Sequence, residues 1–375
     1  MERVEAACMI QTNELDTPFV LIDLDLVMGN IASMQAVADQ NGIKLRPHAK
    51  THKMPEIARL QMEAGASGVT VAKLGEAEAM IEGGIRNLLI AYPIIGPRKI
   101  ERLAELLPKA HLTVVVESYD GMKAVSEAGR MAGLTVSVLI EVDSGFNRVG
   151  ITQEEDVLAI ARAIAADPWL KLEGLLTFAG QSYDAGDTEE LLRTVKLEAE
   201  TVRELTERLR KEGFEITVVS AGSTPSSPHV AGMPGITEIR PGTYVFGDLM
   251  QVKLGAHKLE HCALTVKVTV ISRPAEDRAV IDAGTKVFSS DGEDSPIGTG
   301  RGYVPGRPGI TLEWMTEEHG MLRLAPEEQG LKIGEQLEVI PVHCCAVVNL
   351  TDQVAAVRQG HVVELWKVSA RGKVR

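Results

Sequence analysis

The chain has 375 residues, 45% of them hydrophobic, and a formal net charge of -13 from 39 basic and 52 acidic side chains. That length and apolar content exclude a disordered or fibrous protein, and the negative field disfavours nucleic acid and anionic membrane surfaces as partners. With 35 glycines and only 4% aromatic residues, the composition suits many tight strand-to-helix turns.

The first segment, MERVEAACMIQTNELDTPFVLIDLDL, carries acids where a secretory leader needs bases. No run of about eighteen apolar residues follows, so a soluble cytoplasmic protein is expected. The cysteines are Cys8, Cys262, Cys344 and Cys345; an adjacent pair among four does not make the spaced framework of a disulfide-stapled fold. Residues 18–26 read as a strand and 27–40 as a helix. From there to about residue 245, β-rich runs at 43–47, 68–72, 87–91, 112–116, 136–142, 172–178, 215–220 and 238–241 alternate with helical stretches. The clearest helices are 55–64, 74–82 and 189–212. In the last, Leu191, Leu192, Val195, Leu197, Val202, Leu205 and Leu209 recur at roughly helical spacing. The run count equals the closure number of a (β/α)8 TIM-type barrel, with an open doubly wound sheet as the alternative. After residue 250, LTVKVTVISRP, AVIDAGTKVFSS, MLRLAP, LEVIPVHCCAVVNL and HVVELWKV predict a mostly antiparallel β domain. The expected division is 18–250 for the barrel and 1–17 with 251–375 for the β domain, the strand at 18–26 being able to pair with the latter.

In a parallel barrel the residues after each strand converge on one rim, so those segments carry the candidate chemistry. After the first barrel strand comes RPHAKTHK. Here Arg46, His48, Lys50, His52 and Lys53 form a cationic cluster, and an extended backbone would set His48, Lys50 and His52 on one face. The plain reading of such a run is a solvated basic loop. Its strand-end position instead favours a lysine whose ammonium is destabilised by neighbouring cations and which serves as a nucleophile. VSAGSTPSS and RPGTYVFGD, after the seventh and eighth strands, are small-residue loops whose backbone N–H groups suit a phosphate. A phosphate loop beside a nucleophilic lysine points to pyridoxal phosphate. EVDSGFNRVG places Asp143, Asn147 and Arg148 after the fifth strand, and TFAGQSYD places Gln181, Ser182 and Tyr183 after the sixth. In IPVHCCAVV a strand would turn His343 and Cys345 to one face, an imidazole and thiolate pair suited to Zn²⁺ rather than Mg²⁺. The opposing reading is a buried apolar cysteine. Two protein ligands leave positions open for substrate. EEHG, with Glu318 and His319, reads alone as surface.

RPHAKTHK, VDSGFNRVG, SAGSTPS, RPGTYVFGD, DAGTKVFSSDG, EEHG and PVHCC, in that order, resemble the D-serine dehydratase and D-threonine aldolase family of alanine-racemase-like pyridoxal-phosphate enzymes. The resemblance runs from about Thr17 to Trp366. It implies the barrel followed by a β domain, and a homodimer. It also implies Lys50 as the Schiff-base lysine, with His52 as its catalytic companion, and Gly222, Ser223, Thr224, Gly242 and Thr243 around the phosphate. His48, Arg148, Gln181, Tyr183 and Tyr244 complete the cofactor site. His343 and Cys345 would bind a divalent metal, zinc first, with manganese or magnesium as alternatives. Aldolases of this family more often carry His-x-Asp and a histidine after the sixth strand. His343-x-Cys345 and GQSYD, which lacks that histidine, resemble the dehydratase branch, where Asn or His more often stands at Gln181. The expected reaction is therefore dehydration of a D-3-hydroxy amino acid to a 2-oxo acid and ammonia. Retro-aldol cleavage to glycine and an aldehyde is the first alternative; a racemase or a non-catalytic pyridoxal-phosphate protein are further ones.

Overall fold

The computed structural model describes residues 10–291 and 300–375, which divide into two compact units. One holds Ile31–Gly242 with Lys373–Arg375; the other holds the described residues up to Asn30 and Thr243–Gly372. The strand β1 (Phe19–Asp23) is hydrogen-bonded within the second unit, and α1 (Leu24–Gln40) carries the chain out of it. The division thus falls inside α1 and at Gly242, not at 17/18 and 250/251, because β1 gains its ladder partners in the β sheet. Asp23 opens α1 by accepting the Asp25 and Leu26 N–H groups at 2.9 and 3.0 Å.

The first unit is an eight-stranded parallel sheet: β2 (Lys44–Leu45), β3 (Val69–Val71), β4 (Asn87–Ile90), β5 (His111–Val116), β6 (Val136–Val142), β7 (Leu170–Thr177), β8 (Val218–Ala221) and β9 (Glu238–Ile239). Each strand pairs with its successor from β3 to β9, and β9 returns to β2. The remaining seam is closed just beyond β2: His48 bridges Thr70, with Thr70 N–H on Pro47 O at 2.7 Å and Ala49 N–H on Thr70 O at 2.8 Å. The sheet is therefore a closed barrel, and the doubly wound alternative is excluded. The crossovers are α2 (Pro55–Glu63), α3 (Leu74–Glu82), α4 (Pro97–Leu106), α5 (Tyr119–Ala132), α6 (Glu154–Ala165), α7 (Thr188–Lys211) and the single turn α8 (Ser227–Val230). α7 starts at Asp187, whose side chain accepts the Glu190 N–H. Leu191, Val195, Val202 and Leu209 are buried as expected, whereas Leu192 and Leu197 face outward at 42% and 51% exposure.

Leu89, Val115, Leu139 and Leu176 cluster across four adjacent barrel strands. The same barrel also holds a polar chain. Arg46 Nε pairs with Glu238 at 2.8 Å, Ser220 Oγ donates to Glu238 at 2.6 Å, and Arg240 donates to Ser220 Oγ at 2.8 Å and to Thr177 O at 2.6 Å.

The second unit is a nine-stranded, mostly antiparallel sheet. Its other strands are β10 (Leu264–Ala275), β11 (Arg278–Ile281), β12 (Gly302–Tyr303), β13 (Ile310–Met315), β14 (Gly320–Leu324), β15 (Gln336–Pro341), β16 (Gln353–Arg358) and β17 (His361–Lys367). The order is β13-β14-β11-β10-β1-β16-β17, with β15 joining β10 and β12. Short helices α9 (Leu249–Lys253), α10 (Thr285–Phe288) and α11 (Cys344–Leu350) interrupt it. Two predicted strands thus end early: AVIDAGTKVFSS turns helical at Thr285, and the run through His343 turns helical at Cys344. Among the described residues no helix is long and apolar enough to cross a membrane.

Gly174 on β7 has no room for a side chain, since a Cβ there would lie 1.7 Å from Val218 O on β8. G174A should lower unfolding free energy by about 3 kcal/mol, read as a lower urea midpoint at constant m-value.

Candidate active site

The cationic cluster after β2 does not stay extended, and its members separate. Residues 49–52 form a turn, and Lys53 adopts a φ of 56°. Arg46 serves the barrel through Glu238 and through Asn87 Oδ1 at 3.0 Å. Lys53 pairs with buried Glu76 at 3.3 Å. His52 is fully buried, and its Nδ1 accepts the Met54 N–H at 3.1 Å. The shared face expected for His48, Lys50 and His52 is therefore absent, because the turn at 49–52 rotates His52 into the core.

His48 and Lys50 remain at the strand end. Lys50 is exposed, with Nζ 5.8 Å from the centre of the Phe178 ring, and Arg148 lies over the same ring at 4.7 Å and over Phe146 at 5.3 Å. Phe178, just after β7, thus brings two cations from separate loops to one aromatic surface. Burial, then the charges of Lys50, Arg240, His52 and Arg148, hold His48 well below the usual imidazole range, so it is neutral at pH 7. Its Nδ1 accepts the Lys50 N–H at 3.3 Å.

Arg148 stands on a loop built by Asp143, which accepts the N–H groups of Gly145, Phe146 and Asn147. Asn147 takes φ 56°, and its side chain bonds Gly145 O. Asp143 and Asn147 therefore shape the turn and Arg148 is its product. Gln181 and Tyr183 lie in the short turn Gly180–Tyr183. Gln181 Nε2 donates to Ser144 O at 3.1 Å, and its Oε1 is buried without a hydrogen-bond partner among the described residues. The Tyr183 ring is 6.5 Å from Phe178.

Gly222 has φ 83°, and a Cβ on it would lie 2.9 Å from Ser227 Oγ and from Val230. Only glycine fits this loop without strain. Its N–H is given to Glu198 Oε1 at 3.1 Å, so its contribution is shape. The Ser223 N–H reaches Ser226 Oγ at 2.8 Å, and Ser223 Oγ meets Ser182 Oγ at 3.0 Å. The Gly242 N–H reaches Thr224 Oγ1 at 3.3 Å, and a Cβ on Gly242 would crowd Thr51 Oγ1 at 2.9 Å. The hydroxyls and small residues of these loops suit a phosphate in shape, with the Gly222, Ser223 and Gly242 N–H groups engaged within the protein, and Lys50 fits a carbonyl cofactor. Thr243 and Tyr244 are buried in a short 3-10 turn that opens the β unit.

In the β unit, His343 is the extended residue before α11, and Cys344 and Cys345 begin that helix. Asp248, the N-cap of α9, organises the site. Its fully buried carboxylate accepts the Gln251 N–H, the Cys344 N–H at 3.1 Å and His343 Nδ1 at 2.9 Å. Nδ1 is thereby occupied, so a metal at this residue would be met by Nε2. Burial works against the imidazolium, but Cys345 and Asp248 overcome it and hold His343 up to about 11. A metal cation would take the place of that proton. Burial drives the Cys344 thiol well above its usual range and Cys262 up to about 12, so both stay neutral thiols. Cys345 is the half-exposed cysteine of the three described, and the donor set of His343 and Cys345 suits a divalent metal. Among the described residues no group of three or more metal-ligating side chains assembles. Glu317, Glu318 and His319 are exposed, with Glu318 paired to Lys286; Cys8 lies outside the described residues.

Sequence reasoning missed Asp248, Phe178, Glu198 and Glu141. Asp248 was signalled by its place before a helix. Glu198 was signalled as a carboxylate within the apolar stripe of α7, beside Val195, Ala199 and Val202.

A closed (β/α)8 barrel followed by a separate, mostly antiparallel β unit is the alanine-racemase-like fold. The family model "Alanine racemase, N-terminal domain" matches residues 22–250 and "Putative serine dehydratase domain" matches 263–357. The chain belongs to this family, whose D-serine dehydratase and D-threonine aldolase members are pyridoxal-phosphate lyases. It is 34% identical over 363 residues to D-threonine aldolase of Arthrobacter sp., covering 96% of this chain and 93% of that one. It is equally 34% identical over 370 residues to D-threo-3-hydroxyaspartate dehydratase of Delftia sp. strain HT23, covering 94% and 97%. Among solved structures, D-threonine aldolase from Filomicrobium marinum matches with TM-score 0.90 at 32% identity, over 99% of this chain and 100% of that one. A cysteine-to-alanine mutant of D-threo-3-hydroxyaspartate dehydratase in the metal-free form matches with TM-score 0.87 at 33% identity, over 96% and 98%.

Glu141 shares its barrel face with Leu139 and pairs in register with Leu176, and burial raises its carboxyl from 4.5 to about 7. The folded pKa exceeds the unfolded one, so this stability is complete below pH 4.5 and lost as pH rises through about 7. In the cofactor-free chain, E141Q should flatten that loss and add about 3 kcal/mol near pH 8. Urea titrations at both ends of the range test it, and an unchanged pH slope would refute a neutral buried carboxyl.

Proposed function

We propose that the chain is a metal-assisted lyase that dehydrates a D-3-hydroxy amino acid of the D-serine or D-threonine type to a 2-oxo acid and ammonia. The observation that carries the dehydratase branch is the His343 and Cys345 pair with Asp248 on Nδ1, together with Gln181 where a basic imidazole would be needed for retro-aldol cleavage. A metal-free form described for a cysteine mutant of a related dehydratase supports a metal role for this type of residue.

Lys50 would hold pyridoxal phosphate, with Gly222, Ser223, Thr224 and Gly242 around its phosphate; the bound cofactor would supply an electron sink for the α-carbon. Thr243 and Tyr244 are assigned to the same cofactor on the resemblance alone. The Lys50 amine would also carry the α-proton. Neutral His48 beside it adds no positive charge to the site. Arg148, fixed over Phe178, would face anionic oxygens of cofactor or substrate. His52, buried on Met54 N–H, would act by holding the Lys50 turn. His343 and Cys345 would hold a divalent metal, zinc by donor type, supplying Lewis-acid polarisation of the 3-hydroxyl. Asp248 keeps His343 oriented and raises its basicity. A reducing cytoplasm and a homodimer belong to the same reading; the three described cysteines are free thiols.

Lys50→Ala should abolish the visible band of the lysine-bound cofactor, and its persistence would overturn the assignment. His343→Ala and Cys345→Ala should each leave the cofactor bound but lower kcat at least about a hundredfold, with metal content measured on the same samples. Full activity after chelation would remove the metal from the reaction. Product identification with D-serine and D-threonine decides the branch: pyruvate or 2-oxobutyrate marks dehydration. Glycine with an aldehyde marks the aldolase reading; the 34% identity is the same to an aldolase and to a dehydratase, so the products decide.

A further inference from the structure

Glu198 is fully buried on the inner stripe of α7, between Val195 and Val202. Helix packing alone would be served by leucine there, and a carboxyl in this setting is costly unless something requires it. What engages it is backbone. Oε1 accepts the Ala179 N–H and the Gly222 N–H, each at 3.1 Å. Ala179 leads into the turn that carries Gln181 and Tyr183, and Gly222 leads into Ser223 and Thr224. One oxygen therefore ties the loop after β7 to the loop after β8, and the Ser182 to Ser223 hydroxyl contact at 3.0 Å is a second tie between them. Glu198 Oε2 has no hydrogen-bond partner among the described residues. Burial also favours the neutral carboxyl, the form that sets no negative charge against a phosphate.

We propose that Glu198 is a positioning residue that holds the two strand-end loops of the cofactor site in register through a shared acceptor oxygen. The proposal rests on the reading of the Lys50 site as a pyridoxal-phosphate site. Three substitutions separate the acceptor from the bulk and the charge. E198Q keeps an acceptor at the same reach, E198M keeps the length without one, and E198D withdraws the carboxylate by one methylene.

The dissociation constant of pyridoxal phosphate is measured by absorbance on resolved and reconstituted enzyme, alongside kcat with D-serine at saturating cofactor. E198Q should stay within about twofold of wild type, while E198M and E198D should weaken cofactor binding about tenfold or more. In all three, kcat at saturation should hold within about threefold, the split expected of a group acting through cofactor placement. Cofactor affinity unchanged in E198M and E198D overturns the proposal, as does an E198Q loss equal to that of E198M. If E198M fails to fold, the comparison of E198Q with E198D decides by the same criterion. A wild-type protein that takes up no pyridoxal phosphate overturns both this proposal and the reading beneath it, and is recognised because the unsubstituted chain is itself empty.

Discussion

The barrel depends on a chain of hydrogen bonds through an interior that aliphatic side chains only partly fill. Arg46, Glu238, Ser220 and Arg240 link β2, β9 and β8 to the carbonyl of Thr177 at the end of β7. β2 and β9 are two-residue strands, the shortest of the sheet, and β2 borders the seam where the barrel closes onto β3. Short ladders contribute few backbone bonds, so the ion pair between Arg46 and Glu238 supplies what the ladder lacks. Removing one partner would leave a buried charge uncompensated, a far larger cost than the pair's net contribution.

The same chain sets the electrostatics of the rim. An acidic protein binds a phosphate only where local donors outweigh its overall field. Here Arg240 is buried, Arg148 and Lys50 share the Phe178 ring, and burial pushes the Glu141 and Glu198 carboxyls toward neutrality. Burial thus silences acids that composition counts at full charge. His48 is subject to the same logic with opposite sign: burial first, then neighbouring cations, keep it neutral.

Carboxylates that hold backbone recur at each functional element. Asp143 builds the Arg148 turn, Glu198 spans two loops, and Asp248 caps α9 while orienting His343. In each case a carboxylate accepts two or more N–H groups at a point where the chain leaves regular structure. Asp143 acts within four residues of itself, whereas Asp248 and His343 stand 95 positions apart in the chain.

The eight strand runs and their crossovers were legible because parallel strands buried on both faces read as unbroken apolar segments with turn residues between. Lys50, Gly222 and the His343 and Cys345 pair stood out as residue types that need a special environment. Two local geometries were not legible. The turn at 49–52 takes His52 from the expected face into the core, and the helix at Cys344 replaces the expected strand. Both follow from contacts with distant segments: the Thr70 bridge that ends the β2 extension, and the Asp248 carboxylate that accepts the Cys344 N–H.

By itself, then, the amino-acid order determined the alternation of elements, the loops that carry chemistry and the lysine at their centre, since periodicity and glycine placement are properties of neighbouring residues. The tertiary structure alone decided that the sheet closes, that Arg46 and Lys53 serve the scaffold, that Glu198 bridges two strand-end loops and that Asp248 bonds His343 and Cys344. Those outcomes depend on hydrogen bonds between residues far apart in the chain, whose partners exist only once the fold has brought them within about 3 Å.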